Sequence, residues 1–349
     1  MRIAQVAPLQ VAVPPKGYGG TERVIAELTD ALVQRGHHVT LFASGDSRTR
    51  AHLAPFVSAA IGFGPETDPV DTHLALLTEV YRRAEMGEFD VIHSHLEMMT
   101  LPFIRVAPVP TALTFHSRLD RPAIVRLLRA YSDAHLVSIS DSQREPVPDA
   151  NWVATVYHGV NVRGFPFSPT PGDYLAFVGR ISPEKGPEHA IAIAKRAGVP
   201  LKLAAKIDPK DRAFFKQTVQ PLLDDPLIDF LGPLNERHKR ELMRGALALL
   251  LPIEWPEPFG MVFIEALACG TPVLTRPNGA APEVIEDGVT GYMRATDEEL
   301  ADAVRELPQL DRATCRQCAE ERFDTSRMTD DYVRVYERLL RRQSEPVTR

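Results

Sequence analysis

Short apolar runs alternate with amphipathic stretches along the whole chain, and that alternation admits few folds. Residues 3–8, 39–44, 91–95, 111–115 and 136–140 read as strands. Between them, residues 21–35, 70–86 and 123–132 carry apolar side chains at helical spacing, the first stretch stopped by Gly36. Strand, helix, strand, repeated in this way, predicts an α/β fold with a doubly wound parallel sheet. Residues 161–173, with FPFSPTPGD at their centre, read as a linker from their Pro, Gly and Ser content. The rhythm then restarts. Strands are expected at 174–178, 201–205, 228–231, 248–252 and 272–275, with helices near 188–197 and 212–223. The chain therefore reads as two Rossmann-like domains. Two such domains facing each other would form a cleft at the C-terminal ends of their strands, where open α/β sheets bind ligands.

Bulk properties narrow the partners. A length of 349 residues suits two domains, and a net charge of -6 gives no general attraction to nucleic acid or anionic lipid. No apolar run approaches the roughly 20 residues that span a bilayer. The opening MRIAQVAP reads as a first strand and lacks the layout of a signal peptide, so a cytoplasmic protein is expected. Three cysteines agree with a reducing compartment. Cys315 and Cys318 form a lone CxxC in a polar helical stretch, with no second pair to complete a metal site.

The stretch from Glu254 to Gly270, EWPEPFGMVFIEALACG, carries the most chemistry. Pro256 and Pro258 hold its entry extended. Val262, Phe263, Ala266 and Leu267 then follow helical spacing until Gly270. A loop entering a helix leaves the N–H groups of Phe259, Gly260, Met261 and Val262 facing outward, and such an end binds anions. Glu257 sits in the loop and Glu265 more than a turn into the helix. A phosphate held here would have carboxylates on both sides, and carboxylates accept hydrogen bonds from hydroxyls. A phosphate flanked by two polyols is a sugar nucleotide.

Three further segments point the same way. Gly179-Arg180-Ile181-Ser182-Pro183-Glu184-Lys185-Gly186 ends a strand with Arg180 and Lys185 five residues apart, which fits a phosphate clamp. Gly17-Tyr18-Gly19-Gly20-Thr21-Glu22 joins the first strand to the first helix and allows close backbone approach. A dinucleotide fingerprint would need a third glycine where Glu22 stands, and an acid where strand two ends in Phe42-Ala43-Ser44, so a nicotinamide site fits poorly. Thr114-Phe115-His116 puts a histidine at a strand's C-terminal end, either aimed into the cleft or hydrogen-bonded at the rim of the core. One of His93 and His95 is expected to face the cleft too, but no third ligand is placed for a metal.

These motifs resemble the retaining GT-B glycosyltransferases of family 4, over nearly the whole chain. The resemblance implies that Glu257 contacts hexose hydroxyls, Glu265 the ribose, and Arg180 and Lys185 the diphosphate. It places His116 near the donor sugar and lays Gly19 and Gly20 against the diphosphate and the acceptor. It further implies a front-face attack that needs no protein general base. The implied division is residues 1–165, the acceptor-binding domain, with a terminal helix at 328–349 packing back on it, and residues 166–327, the nucleotide-sugar-binding domain. Asn161, in Tyr157-His158-Gly159-Val160-Asn161, stands where the family often has Asp. Residues 279–292 match a family stretch whose roles look structural, and Ser140 matches a position near the domain interface. Lys206 replaces a customary glycine-rich segment and leaves the base unread.

The expected activity is hexose transfer from a nucleoside-diphosphate sugar to an acceptor hydroxyl, with UDP-glucose favoured and GDP-mannose second. The chain contains no Asp-x-Asp pair, so Arg180, Lys185 and helix N–H groups would serve the diphosphate without a metal or other cofactor. Alternatives are a catalytically silent GT-B sugar-nucleotide binder and a nicotinamide-dependent oxidoreductase. The acceptor is not legible. Arg118, Arg121, Arg126 and Arg129, interleaved with Ile124, Val125, Leu127 and Leu128, could lie on an anionic membrane, snorkel on a surface helix or meet an anionic acceptor.

Overall fold

The computed structural model describes residues 1–17, 19–63 and 69–344. Tyr18 of the glycine loop and residues 345–349 of the expected last helix lie outside the described residues. The chain divides into two compact units, Met1–Gly159 with Thr325–Arg349, and Val160–Asp324.

Unit 1 holds a seven-stranded parallel sheet. Its strands are β1 (Arg2–Val6), β2 (His38–Ser44), β3 (His52–Val57), β4 (Val91–Ser94), β5 (Thr111–Thr114), β6 (His135–Ser138) and β7 (Trp152–Thr155), in the order β3-β2-β1-β4-β5-β6-β7. Ala4, Val6, Phe42 and Ile92 face the helix Pro69–Glu85, whose Leu76, Leu77, Val80 and Tyr81 join them in one buried cluster. Side chains alternate across a strand, so Gln5 and His93, paired in register, lie on the opposite face. There the helix Thr325–Ser344 covers them with Tyr332 and Tyr336, both fully buried.

Unit 2 holds a six-stranded parallel sheet. Its strands are β8 (Leu175–Arg180), β9 (Leu201–Lys206), β10 (Ile228–Phe230), β11 (Ala248–Leu251), β12 (Val273–Thr275) and β13 (Gly291–Met293), in the order β10-β9-β8-β11-β12-β13. A parallel sheet is covered on both faces, and β11 accordingly is buried at every residue.

The expected boundary after residue 165 moves to Gly159, because the intervening residues are tied into unit 2. Arg240 donates to Gly164 O at 2.8 Å and stacks 4.2 Å from the Phe165 ring centre. The expected helix over 212–223 is present as continuous helical backbone, but its hydrogen bonding changes along it, from an α turn at Arg212–Phe214 to a wider turn at Phe215–Val219 and a tight one at Gln220–Leu222. Pro221 has no N–H to donate back to the preceding turn. β3, β7 and β13 were not expected as strands. All three are sheet edges, where burial is partial and the apolar run is short.

Candidate active site

Unit 2 gathers its chemistry where its strand order reverses. β8 lies between β9 and β11, so the loops after β8 and β11 leave the sheet side by side. The first loop turns through Pro183–Lys185 into Gly186, at φ 63°. A Cβ there would lie 2.4 Å from Pro252 O, so only glycine lets the two loops press together. That contact joins Lys185 to Glu257. The ammonium donates to Glu257 Oε2 at 2.5 Å, and the two side chains are 10% and 12% exposed. Trp255 Nε1 donates to the same oxygen at 2.7 Å. Arg180 pairs with Glu184 at 3.0 Å and with Asp208 at 3.6 Å. Lys206, the residue left open by the sequence, pairs with Asp208 at 2.6 Å.

Glu257 is also fixed from beneath. Ala280 donates its N–H to Glu257 O at 2.8 Å, and a Cβ on Gly279 would lie 2.3 Å from Glu257 N. The stretch 279–292 thus seats the Glu257 backbone at its first two residues.

The other expected carboxylate lies in the helix Met261–Ala268, where every residue from Phe263 on is buried. A carboxylate in such surroundings requires a cation. Lys239, from the helix Glu236–Gly245, donates to both Glu265 oxygens at 2.9 Å. Sequence reasoning missed Lys239. The signal was Glu265 itself, a charge among Ile264, Ala266 and Leu267, but spacing does not choose between Lys239, Arg240 and Arg244. Trp255 was missed as well, with no signal beyond its place beside Glu257. Gly260 begins the helix at φ 87°, and among the described residues no side chain caps it, which leaves its first N–H groups for a ligand. Met261 and Val262 are half-buried, and the Phe259 ring packs edge-on to Phe323 in the core of the unit.

Unit 1 gathers histidines. His116, just after β5, has Nε2 2.9 Å from His95 Nδ1, and its ring stacks on His158 with centres 5.1 Å apart. His93 is fully buried, with Nδ1 2.7 Å from Tyr336 OH and Nε2 2.8 Å from Thr114 Oγ1. Burial pushes His93 and His116 down to about 3 and drives His95 and His158 well below the usual imidazole range, so all four rings are neutral near pH 7. Glu97, at φ 47°, accepts from the N–H groups of His116 and Ser117, both at 3.0 Å, and pins the loop that carries His116. Burial raises its own carboxyl.

Gly19 and Gly20 sit at the start of the helix Gly20–Gln34, but a carboxylate is already there. A Cβ on Gly19 would lie 2.9 Å from Glu22 Oε2. This helix end is therefore better matched to hydroxyls than to a phosphate. The arginine-rich segment forms the helix Pro122–Ala130, in which Ile124 and Leu128 are buried and Val125 and Leu127 pack on the same core. Its apolar side chains face inward. Arg118 pairs with Asp120, and Arg129 with Asp149 at 3.4 Å, while Arg121 and Arg126 are exposed. Ser140 is buried and accepts from Gln143 N at 3.1 Å, and Cys315 is buried with its thiol pushed up to about 12. Among the described residues no helix is long and apolar enough to cross a membrane, and no cluster of three or more His, Cys, Asp or Glu is placed to hold a metal ion.

Residues 18–179 match Glycosyltransferase Family 4, and residues 163–323 match Glycosyl transferases group 1. The phosphatidyl-myo-inositol mannosyltransferase of Mycobacterium leprae is 26% identical, across 97% of this chain and 96% of that protein. The D-inositol 3-phosphate glycosyltransferase of Mycolicibacterium smegmatis is also 26% identical, across 92% and 87%. Among solved structures, AviGT4, a glycosyltransferase involved in avilamycin A biosynthesis, superposes with a TM-score of 0.76 at 23% identity, covering 97% of this chain and 98% of that one. Anabaena Alr3699/HepE in complex with UDP-glucose gives 0.73 at 18% identity, covering 97% and 100%. These likenesses identify the two-sheet GT-B fold.

Two consequences are measurable. The four neutral histidines gain protons on unfolding below their ordinary pKa of 6.5, so the unfolded state binds more protons and stability falls as pH drops. One unit below 6.5 the cluster costs on the order of 5 kcal/mol, comparable to a whole domain's stability. Thermal melts from pH 7.5 to 5 should show a steep loss below 6.5, and a flat profile contradicts buried neutral rings. Separately, Gly279→Ala should destabilise unit 2 by about 3 kcal/mol, whereas Gly288→Ala, at a similar φ with open space around it, should cost only about 1 kcal/mol. Equal losses in denaturant titrations would mean that Gly279 does not press on Glu257.

Proposed function

Because the chain belongs to the glycosyltransferases built from a family 4 domain and a group 1 domain, and is a transferase of GT-B type, we propose that it moves a hexose from a nucleoside-diphosphate sugar to an acceptor hydroxyl, with retention at the anomeric carbon. The observation that carries this reading is the Lys185–Glu257 contact at the strand-order reversal of unit 2. An ammonium has three donors. One serves Glu257, and the others are available to a phosphate beside it. Glu257, so neighboured, accepts from hexose hydroxyls, and Glu265, held by Lys239, accepts from the ribose. Arg180, Lys185 and the N–H groups at Gly260–Val262 stabilise the charge that grows on the departing diphosphate.

The bond from the anomeric carbon to the phosphate oxygen breaks as the acceptor oxygen bonds on the same face. The departing phosphate oxygen takes the acceptor's proton, so no protein base is needed. His116, neutral at pH 7, orients the sugar and does not exchange protons with it. This scheme asks nothing of a metal ion. UDP-glucose is the favoured donor and GDP-mannose the second. The likeness to a protein solved with UDP-glucose supports the first, and the mannosyltransferase relative the second. Exposed Arg121 and Arg126 suit an anionic acceptor group, and the relatives' names include both a lipid-borne and a free inositol phosphate, while the inward packing of Ile124, Val125, Leu127 and Leu128 leaves that helix no apolar face for a bilayer. The nicotinamide reading is set aside, since both halves of the chain match glycosyltransferases. A silent sugar-nucleotide binder would release no nucleotide from the donor.

A thermal-shift screen of UDP- and GDP-sugars in EDTA should select the donor. Lys185→Ala should then lower turnover by about 10²-fold or more while circular dichroism stays unchanged. Unchanged turnover rejects the clamp, and a donor that shifts the melt only with added metal rejects the metal-free scheme.

A further inference from the structure

We propose that Gln5 is a positioning residue that fixes the proton on His116, through His95, so that His116 meets a sugar hydroxyl as a hydrogen-bond acceptor. The hydroxyl in this statement rests on the donor reading above. The proton order rests on geometry within unit 1 alone.

Gln5 lies in the middle of β1 and is fully buried. A primary amide carries two donor hydrogens and one acceptor oxygen. Gln5 Nε2 is 3.1 Å from Tyr336 OH and 3.3 Å from His93 Nδ1, and Oε1 is 3.1 Å from His95 Nε2. In this orientation one hydrogen meets Tyr336 OH and the other shares the His93 Nδ1 lone pair with the Tyr336 hydroxyl, which lies 2.7 Å from it. The reverse would send one hydrogen to the single nitrogen of His95 and leave the second with no acceptor at all.

The rest follows by counting protons. Gln5 Oε1 can only accept, so His95 carries its proton on Nε2. A neutral ring has one N–H, so His95 Nδ1 is a lone pair. Its neighbour at 2.9 Å is His116 Nε2, which must therefore be the donor. His116 is neutral as well, which leaves its lone pair on Nδ1. That atom is buried and has no hydrogen-bond partner among the described residues. A buried acceptor left unmade is costly, and a hydroxyl donor would relieve it. Rotation of the frame is blocked on the other branch. His93 is held at both nitrogens, by Tyr336 and by Thr114, and Thr114 Oγ1 is in turn 3.2 Å from Tyr332 OH. The helix Thr325–Ser344 thus supplies two of the hydroxyls that orient Gln5 and His93.

The test uses full-length protein labelled with 15N-histidine. Two-bond proton–nitrogen correlation spectra at pH 7 should show His95 and His116 as Nε2–H tautomers. In Gln5→Met, which cannot accept from His95, both should become mixtures, and KM for the donor sugar should rise about tenfold with kcat little changed, the worth of one neutral hydrogen bond. An Nδ1–H tautomer on wild-type His116 overturns the proposal, as do unchanged tautomers in Gln5→Met. If that variant does not fold, the wild-type spectrum decides alone. A wild-type protein that turns over no sugar nucleotide overturns the donor reading instead, and the spectra distinguish the two failures.

Discussion

Strands that run parallel cannot be joined by a tight turn. Each must be followed by a crossover that returns to the same edge, and this one constraint organises both units. It buries each sheet on both faces, so the central strands become continuous apolar runs. It also sends the loops that follow the strands to one end of the sheet, and two of them diverge where the strand order reverses. In unit 2 that place falls between β8 and β11, and Lys185 and Glu257 occupy it. In unit 1 it falls between β1 and β4, the strands that carry Gln5 and His93.

The same constraint explains what could be read from the chain. Strands buried on both faces announced themselves, including β1, β2, β4, β8, β9 and β11. The edge strands β3, β7 and β13 did not, because a half-covered strand needs no unbroken apolar run. Pro221 was visible, and the helix runs through it as expected, with the missing N–H met by a change in the hydrogen-bond pattern on either side. In the candidate site, Glu257, Glu265, Arg180 and Lys185 were each legible as residues. Their pairings were not. Lys185 and Glu257 are separated by 72 positions, and only folding brings them to 2.5 Å. Gln5 was legible in principle, as the one polar residue of the strand interior IAQV, whose burial demands partners. Its partners come from Tyr336 and the histidines, and no local pattern connects them.

The two units handle buried polarity differently, and the contrast bears on what each can do. In unit 1 the buried histidines are neutral and share protons along a fixed network of amide, imidazole and hydroxyl groups. Such a network is rigid once every donor has an acceptor, and it presents one directed lone pair. It suits the orientation of an uncharged polyol. In unit 2 the poorly exposed groups include ions. Lys185, Lys239 and Arg180 each face a carboxylate, so the cations do not confront one another. Removing one partner would strand a charge in a poorly solvated place.

That pairing sets the terms on which a diphosphate could enter. The cations already have counter-ions, so a diphosphate brings excess negative charge unless it is matched by donors that carry no full charge. The uncapped helix start at Gly260–Val262 offers such donors, because peptide N–H groups add partial positive charge without a carboxylate to cancel it. Hydroxyls of a bound sugar could satisfy Glu257 and release part of the ammonium to the phosphate. Binding would then be an exchange of partners around Lys185, in which the sugar and the phosphate each supply what the other removes. A nucleotide without its sugar would leave Glu257 competing for the same ammonium. On this electrostatic ground the proposed donor would fit unit 2 better with its sugar attached than without it.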